Sequence, residues 1–112
     1  MTKKKRWFQA LQEMGCIVCL NEMNVKSDPD IHHIIKNGKR IDDFHTIPLC
    51  PTHHRLGVNN EHAVSRHPWK KEFEKRYGTE WKLLEQTKRH VEMVLQVQQV
   101  IPEGNDAPEV QQ

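Results

Sequence analysis

The sequence contains little of the material that builds a large apolar core. Only 36% of its 112 residues are hydrophobic, and 6% are aromatic. It also lacks a long apolar run, since none approaches the roughly 18 residues of a membrane-spanning helix, so we expect no membrane association. A chain of this length forms one domain at most, and small domains with a thin core usually need an added crosslink such as a bound metal.

The sequence also lacks the features of a signal peptide and a large net charge, which bear on its cellular compartment and on its binding partner. The basic N-terminus, residues 1–7, lacks the apolar segment and the small-residue cleavage site of a signal peptide, which predicts a cytoplasmic protein. In that reducing compartment cysteines stay as thiols that are available to metal. Net charge is only +2 with histidine neutral, so the overall charge is weak evidence for a polyanionic partner.

What the sequence does contain is a set of metal ligands in two close pairs. Cys16 and Cys19 form one pair, and Cys50 and His53 form a second pair with the same spacing. Three thiolates and one imidazole in such pairs are the ligand set of a closed tetrahedral zinc site. Structural zinc contributes on the order of 10–16 kcal/mol of binding free energy to folding, so this zinc is expected to hold the domain together.

Three histidines, His32, His33 and His54, are left over beside these ligands. Surplus imidazoles next to a structural zinc indicate an enzyme, because a catalytic metal needs only partial protein ligation. His32 and His54 would hold this second metal, and His33 would take a proton from water near neutral pH. Since the metal would polarise a phosphate, the predicted reaction is hydrolysis of a phosphodiester. Neighbouring strand residues point to opposite faces, so the site requires a twist or bulge at residues 32–33.

Local signals place these ligands on a strand, a turn, a second strand and a helix. Residues 31–35 are short and β-branched, Asn37-Gly38 is a strong tight-turn dipeptide, and residues 44–49 would return as the second strand. Pro51 suits the first turn of a helix that would extend to about Leu56. We therefore predict an α+β fold, in which a small zinc-stabilised β-β-α unit has flanking helices.

The flanking helices complete a single predicted domain over residues 1–101, which a disordered tail at 102–112 follows. Trp81, Leu84, Val91 and Leu95 share one face of the last helix, which we expect to pack over the strands. The predicted flanking helices cover residues 4–14, 67–77 and 79–99, and a polar loop covers residues 21–29.

Basic side chains cluster around the predicted turn. Lys36, Lys39 and Arg40 flank it close to the histidines, and we expect this group to contact phosphates. Arg40 and Arg55 could hold phosphates by forked hydrogen bonds, although surface salt bridges would use the same side chains. Lys39, Arg40 and Arg55 are therefore the candidate nucleic-acid contacts.

Three motifs together resemble the HNH endonucleases, which are ββα-metal nucleases with a structural zinc. They are Cys16-x-x-Cys19, then Ile31-His32-His33-Ile34, then Ile47-Pro48-Leu49-Cys50-x-x-His53-His54. Two further segments, Gly38-Lys39-Arg40 and the run from His67 to Glu80, are similar to the phage Ref-type, RecA-dependent recombination nucleases. The resemblance covers residues 16–85, and the motifs are specific in combination.

This resemblance implies cleavage of DNA in phage or prophage recombination. It assigns His33 as the general base and His32 and His54 as ligands of a catalytic divalent metal. It also assigns the three cysteines with His53 as ligands of structural Zn²⁺. For the Ref-type proteins it further implies action together with RecA filaments on single-stranded DNA, in the cytoplasm of a bacterial host.

The third ligand of the catalytic metal is where the sequence departs from the HNH pattern. The pattern's asparagine position holds His45, so the HNH register favours His45, whereas the Ref-like resemblance makes Asp43 or His67 the ligand. We favour His67. A histidine-rich site suits Zn²⁺, Ni²⁺ or Mn²⁺ better than Mg²⁺, because imidazole is a softer ligand than carboxylate or water.

Two other classes of protein compete with the nuclease. A zinc-stabilised module that binds nucleic acid without cutting it predicts one metal per chain, whereas the enzyme predicts a second, weaker site. A Cys-x-x-Cys redox protein is disfavoured, because the βαβ context of that motif is missing and Cys50 and His53 would have no role. The sequence leaves the oligomeric state and the DNA preference open.

Overall fold

The computed structural model describes the backbone of residues 2–100 and the side chains of residues 2–95. The elements of this part are α1 Lys3–Met14, α2 Ile17–Met23, β1 Asp30–His33, β2 Ile35–Lys36, β3 Lys39–Arg40, β4 Thr46–Leu49, α3 Pro51–His54, α4 Lys70–Tyr77 and α5 Glu80–Val100. The strands form two small antiparallel sheets, so the fold is α+β as predicted. The predicted tail at 102–112 lies outside the described residues. Within the described part, no helix has the length and apolar character needed to cross a bilayer.

The first sheet places the histidines beside the cysteines. β1 runs antiparallel to β4, with Asp30 opposite Leu49 and His33 opposite Thr46. Cys50 then serves as the N-cap residue of α3, and its neighbour is a proline, whose missing N–H is no loss in a first helical turn. The predicted order of strand, turn, strand and helix is therefore present, and it brings β1 and α3 together.

The strand predicted at residues 31–35 is two strands in the structure. β1 stops at His33, and β2 begins at Ile35 and pairs with β3 across the Asn37-Gly38 turn. Ile34 between them is buried and donates its N–H to the carbonyl oxygen of His45 at 2.9 Å. Because the chain is anchored at Ile34, the β2–β3 hairpin leaves the first sheet, and the prediction of one continuous strand is wrong.

A helix that the sequence analysis did not predict follows the first cysteine. α2 forms because Ile17 is buried and the Sγ of Cys16 accepts a hydrogen bond from the N–H of Cys19. The helix ends at Met23, and the capping residue Asn24 adopts a left-handed φ of 53°, a conformation that asparagine tolerates. The prediction of a loop at residues 21–23 is therefore wrong.

The helices α1 and α5 pack against β4 and supply a large share of the apolar core. Leu11 of α1, Ile47 of β4 and Leu83 of α5 are fully buried. Inside this core, Nε1 of Trp7 donates a hydrogen bond to Oγ1 of Thr46 at 2.7 Å. A buried indole N–H without a partner is costly, so this bond fixes the position of α1 on β4.

The inward face of α5 differs from the predicted one in its first turn. Trp81 is predicted to pack inward, but it is 47% exposed. The buried stripe instead runs through Leu83, Thr87 and Val91, which are one helical turn apart. The prediction is wrong at Trp81, because the first turn buries Glu80 and Leu83 instead.

Two helices are shorter than predicted. α4 begins at Lys70 rather than His67, since a proline at position 68 restricts the residue before it to extended backbone. α3 ends at His54 rather than near Leu56. Both corrections bear on the site, because they leave His54 at a helix end and His67 in a loop beside it.

Candidate metal centres

Four side chains, which we call the cysteine cage, converge inside the domain. They are Cys16, Cys19, Cys50 and His53, and all four are buried. The Sγ atoms of Cys19 and Cys50 are 3.7 Å apart, and the distances from Nδ1 of His53 to the sulfurs of Cys50, Cys19 and Cys16 are 3.2, 3.5 and 3.7 Å. Zinc bond lengths in a tetrahedron give about 3.8 Å between two sulfurs and about 3.5 Å between sulfur and nitrogen. The cage could therefore bind a structural metal.

The three cysteines of the cage differ in acidity. A hydrogen bond from Cys16 lowers the pKa of Cys50 to about 3, against the opposing influence of burial and with help from His53. The same hydrogen bond, together with burial, raises the pKa of Cys16 above its usual range, and burial raises the pKa of Cys19. Because a metal binds cysteine as the thiolate, a metal that enters the cage displaces the thiol protons that these raised pKa values retain.

A second cluster, the histidine trio, consists of His32, His54 and His67, and His54 directly follows His53 of the cage in the chain. One ring nitrogen from each lies within 4.8 Å of the others, and Nδ1 of His32 is 3.2 Å from Nε2 of His54. In a tetrahedral zinc site two nitrogens are about 3.4 Å apart. The trio thus has a spacing that could hold a metal through three imidazoles and leave one position open.

Three elements bring the trio together. His32 is buried on β1, His54 ends α3, and His67 precedes α4. Two backbone bonds hold the loop of His67 against α3, from the N–H of Arg66 to the carbonyl of His53 and from the N–H of His67 to the carbonyl of His54. The backbone spacing of His54 and His67 is therefore fixed, and β1 supplies the third ring.

Two histidines of the trio turn their other ring nitrogen toward a carboxylate. Nε2 of His32 lies 2.5 Å from Oε2 of Glu80, and Nδ1 of His54 lies 2.9 Å from Oδ2 of Asp30. The same oxygen of Glu80 accepts a hydrogen bond from Nε of Arg66 at 2.7 Å. Metal-binding histidines commonly donate their second N–H to a carboxylate in this way.

Sequence reasoning missed both carboxylates. Asp30 offers a usable signal, because it lies two residues before His32 on the same strand and so shares its face. Glu80 offers none, since it is 48 residues from His32 along the chain and stands at the start of a helix, where an acidic residue is ordinary.

The charges of this region suit metal binding. Burial raises the pKa of Glu80, but hydrogen bonds from His32 and Arg66 outweigh it and lower this pKa to about 2. Burial lowers the pKa of His32 although the hydrogen bond and charge of Glu80 oppose it, and burial with the charge of Arg66 lowers the pKa of His67. At neutral pH, Glu80 is therefore ionised and both imidazoles are neutral, which are the forms that a metal site needs.

The predicted general base, His33, ends β1 and lies outside the trio. Its register with β4 is regular, without a bulge, and its Nε2 lies 3.2 Å from Oδ1 of Asp43. Asp43, one alternative for the third ligand, therefore contacts His33 rather than the trio. His45, the other alternative, lies 2.7 Å from Asp42 through its Nδ1. Of the three candidates, the structure brings His67 into the trio.

The candidate nucleic-acid contacts lie in two places. Lys39 and Arg40 form the exposed strand β3, and Lys36 stands opposite Lys39 across the hairpin. Among the residues whose side chains are described, no carboxylate forms an ion pair with these three. Arg55 is 56% exposed, and its Nε donates to Oδ2 of Asp30 at 2.9 Å. The hairpin therefore keeps its positive charge unneutralised, whereas Arg55 is partly engaged.

One cysteine-rich cluster and one all-histidine cluster make this a domain with two candidate metal centres. A family model described as recombination enhancement, RecA-dependent nuclease matches residues 1–92, and the chain belongs to this family. Membership confirms the resemblance to RecA-dependent nucleases and indicates a nuclease role in recombination. No curated protein and no solved structure matches the chain.

Proposed function

We propose that the chain is a metal-dependent endonuclease of the HNH type that hydrolyses DNA phosphodiester bonds in phage or prophage recombination. The observation that carries this proposal is the histidine trio, in which one ring nitrogen from each residue lies within 4.8 Å of the others. The strand, strand and helix of β1, β4 and α3 that hold it have the β-β-α order expected of such nucleases.

His32, His54 and His67 are the proposed ligands of the catalytic metal. When bound, a divalent ion there would polarise the scissile phosphate and offset charge on the leaving oxygen. Because all three donors are imidazoles, Zn²⁺, Ni²⁺ or Mn²⁺ suits the site better than Mg²⁺. Structural Zn²⁺ in the cysteine cage would fix His53, whose neighbour in α3 is His54.

His33 is the proposed general base. The carboxylate of Asp43 can only accept a hydrogen bond, so Nε2 of His33 carries its proton and Nδ1 keeps the lone pair. Nδ1 would take a proton from the attacking water as the new bond to phosphorus forms and the bond to the leaving oxygen breaks. The mechanism requires that His33, at the end of β1, reaches a phosphate held beside the trio.

The β2–β3 hairpin is the proposed phosphate-binding element. Lys36 and Lys39 are directly opposed across two short strands, an arrangement that is unfavourable unless an anion neutralises it. Lys39 and Arg40 would contact the DNA backbone, and Arg55 would add the guanidinium nitrogens that Asp30 does not engage. DNA and a RecA filament on single-stranded DNA are the proposed partners, and a cytoplasmic location stays a prediction.

Nicking of supercoiled plasmid tests the proposal. Purified protein is supplied with Zn²⁺, Mn²⁺, Ni²⁺ or Mg²⁺ in turn, alone and with RecA filaments on single-stranded DNA. We expect nicking that His33→Ala lowers by roughly 10²–10⁴-fold, the usual contribution of a general base. His62→Ala is the matched control, because His62 is an exposed histidine outside both clusters.

The passive binding module makes the opposite prediction. It binds DNA, holds one metal per chain and leaves the plasmid intact under every condition. Metal content per chain, measured before and after mild chelation, separates the two cases, because the nuclease has a second site of lower affinity. Intact plasmid with all four metals, with and without RecA filaments, would contradict the proposed activity.

A further inference from the structure

Glu80 is a buried carboxylate whose side-chain contacts lead to the histidine trio. Its side chain is 4% exposed, although the next residue along α5, Trp81, is 47% exposed. Its Oε2 accepts a hydrogen bond from Arg66 and lies against Nε2 of His32. Burying an ionised carboxylate is unfavourable unless it is paired and hydrogen bonded. The first turn of α5 therefore carries a group whose burial requires these partners.

This contact determines which nitrogen of His32 carries the proton. An ionised carboxylate has only acceptor sites, so Nε2 of His32 must be the N–H donor to Glu80. A neutral imidazole has one donor and one acceptor, which leaves the lone pair on Nδ1. Nδ1 is the atom that faces His54 in the trio.

The same reasoning applies to His54 and leaves the trio with an unsatisfied contact. Nδ1 of His54 donates to Asp30, so its Nε2 also presents a lone pair. Nδ1 of His32 and Nε2 of His54 are 3.2 Å apart, and neither carries a hydrogen in these tautomers. Two lone pairs at this distance repel each other, and a shared proton or a cation between them removes the repulsion.

The position of Glu80 depends on how α5 docks. Leu83 and Leu84, in the same turn of the helix, are buried in the core. The backbone N–H of Glu80 donates to Oε2 of Glu74 at 3.1 Å, which ties the start of α5 to α4. The carboxylate is therefore held at a fixed place by the packing of α5.

We propose that Glu80 is a positioning residue, which holds His32 in the Nε2–H tautomer so that Nδ1 is presented to a metal in the trio. Metal affinity at the trio then depends on the docking of α5, an element that carries no residue of either metal cluster. The inference rests on the proposed function, because it takes the trio as a metal site.

The first experiment measures metal affinity in Glu80→Gln. Full-length protein with its cage already loaded with zinc is titrated with Mn²⁺ or Co²⁺ in a calorimeter. We expect the affinity of the second site to fall by roughly 10–100-fold, as is usual when the hydrogen-bond partner of a metal-binding histidine is lost. Glu85→Gln is the matched control, since Glu85 is an exposed residue of the same helix.

The second experiment reads the tautomer directly, before metal is added to the trio. Nitrogen-15 chemical shifts of the imidazole rings should show His32 as the Nε2–H form in the native chain. They should show a mixture of both forms in Glu80→Gln, because an amide can donate to Nε2. Asp30→Asn should change His54 and leave His32 unaltered. A purely structural role for Glu80 would not change the tautomer of one selected ring.

The outcomes separate this inference from the proposed function. Native protein that binds a second metal but cuts no DNA refutes the nuclease and leaves the role of Glu80 intact. Native protein that cuts DNA, with native affinity and tautomer in Glu80→Gln, refutes the role of Glu80 alone. A native chain without a second metal also overturns the inference. If Glu80→Gln does not fold, Glu80→Asp replaces it, and its shorter side chain should likewise weaken metal binding.

Discussion

Replacing Asp43 by asparagine tests how His33 is held. The two side chains meet at 3.2 Å, and the carboxylate is 44% exposed. A buried hydrogen bond to a charged group contributes roughly 1.5–3 kcal/mol, and an exposed ion pair contributes roughly 0.2–1 kcal/mol. Because the contact of His33 with Asp43 is partly exposed, we expect it to contribute about 1 kcal/mol to holding His33 in place. Because about 1.36 kcal/mol corresponds to tenfold in rate, Asp43→Asn should slow cleavage by about fivefold.

Single-turnover nicking of plasmid at saturating metal measures this effect. His33→Ala should be far slower than Asp43→Asn, and the double variant should be no slower than His33→Ala, because Asp43 acts through His33. Lys4→Gln is the control. Nζ of Lys4 lies 3.6 Å from the other oxygen of Asp43, and its side chain is 58% exposed, so its loss should change the rate by less than about twofold.

Two results would refute this reasoning. One is a further fivefold loss when Asp43→Asn is added to His33→Ala, since Asp43 would then act on something other than His33. The other is weaker binding of the second metal in Asp43→Asn. In that case Asp43 would be the third metal ligand, and its contact with His33 would be secondary.

Four further predictions concern the fold, the cage, the hairpin and the trio. Thr46→Val removes the acceptor of the Trp7 indole and should lower the free energy of unfolding by roughly 1–3 kcal/mol in urea titrations. Cys50→Ser, or strong chelation, should unfold the domain in circular dichroism, because structural zinc contributes on the order of 10–16 kcal/mol. Lys39→Gln should reduce the slope of log affinity against log salt for DNA by about 1, without changing sequence preference. Burial lowers the pKa of His32 and His67, so these rings stay neutral and able to bind metal as the pH falls to the ordinary histidine pKa of 6.5. The metal affinity of the trio should therefore persist to that pH and be lost below it, which calorimetry at several pH values checks.

The cage was accessible to sequence analysis because its geometry is mostly local. Each pair of ligands is three residues apart, so a single turn of chain brings two donors together, as Cys16 and Cys19 do at the start of α2. The Asn37-Gly38 turn and the proline of α3 are also local signals, and they gave the correct order of strands and helix.

The parts of the fold and of the candidate site that could not be predicted depend on tertiary packing, which local sequence signals do not encode. The contact of Glu80 with His32 joins residues 48 positions apart and exists only because α5 docks on the core. The break at Ile34 follows from a backbone bond to His45, which no propensity of residues 31–35 indicates. Trp81 was misplaced for the same reason, since its hydrophobicity suggested burial while the docking of α5 left it exposed.

The adjacency of His53 and His54 on one short helix has a consequence for when the protein becomes active. Consecutive residues of α3 belong to different clusters, so a metal bound in the cysteine cage would also orient the ring of His54 in the histidine trio. If the proposed activity is correct, a newly synthesised chain that has not captured zinc has no organised cutting centre. Zinc binding and DNA cleavage would thereby be linked, because a chain without zinc would not cleave DNA.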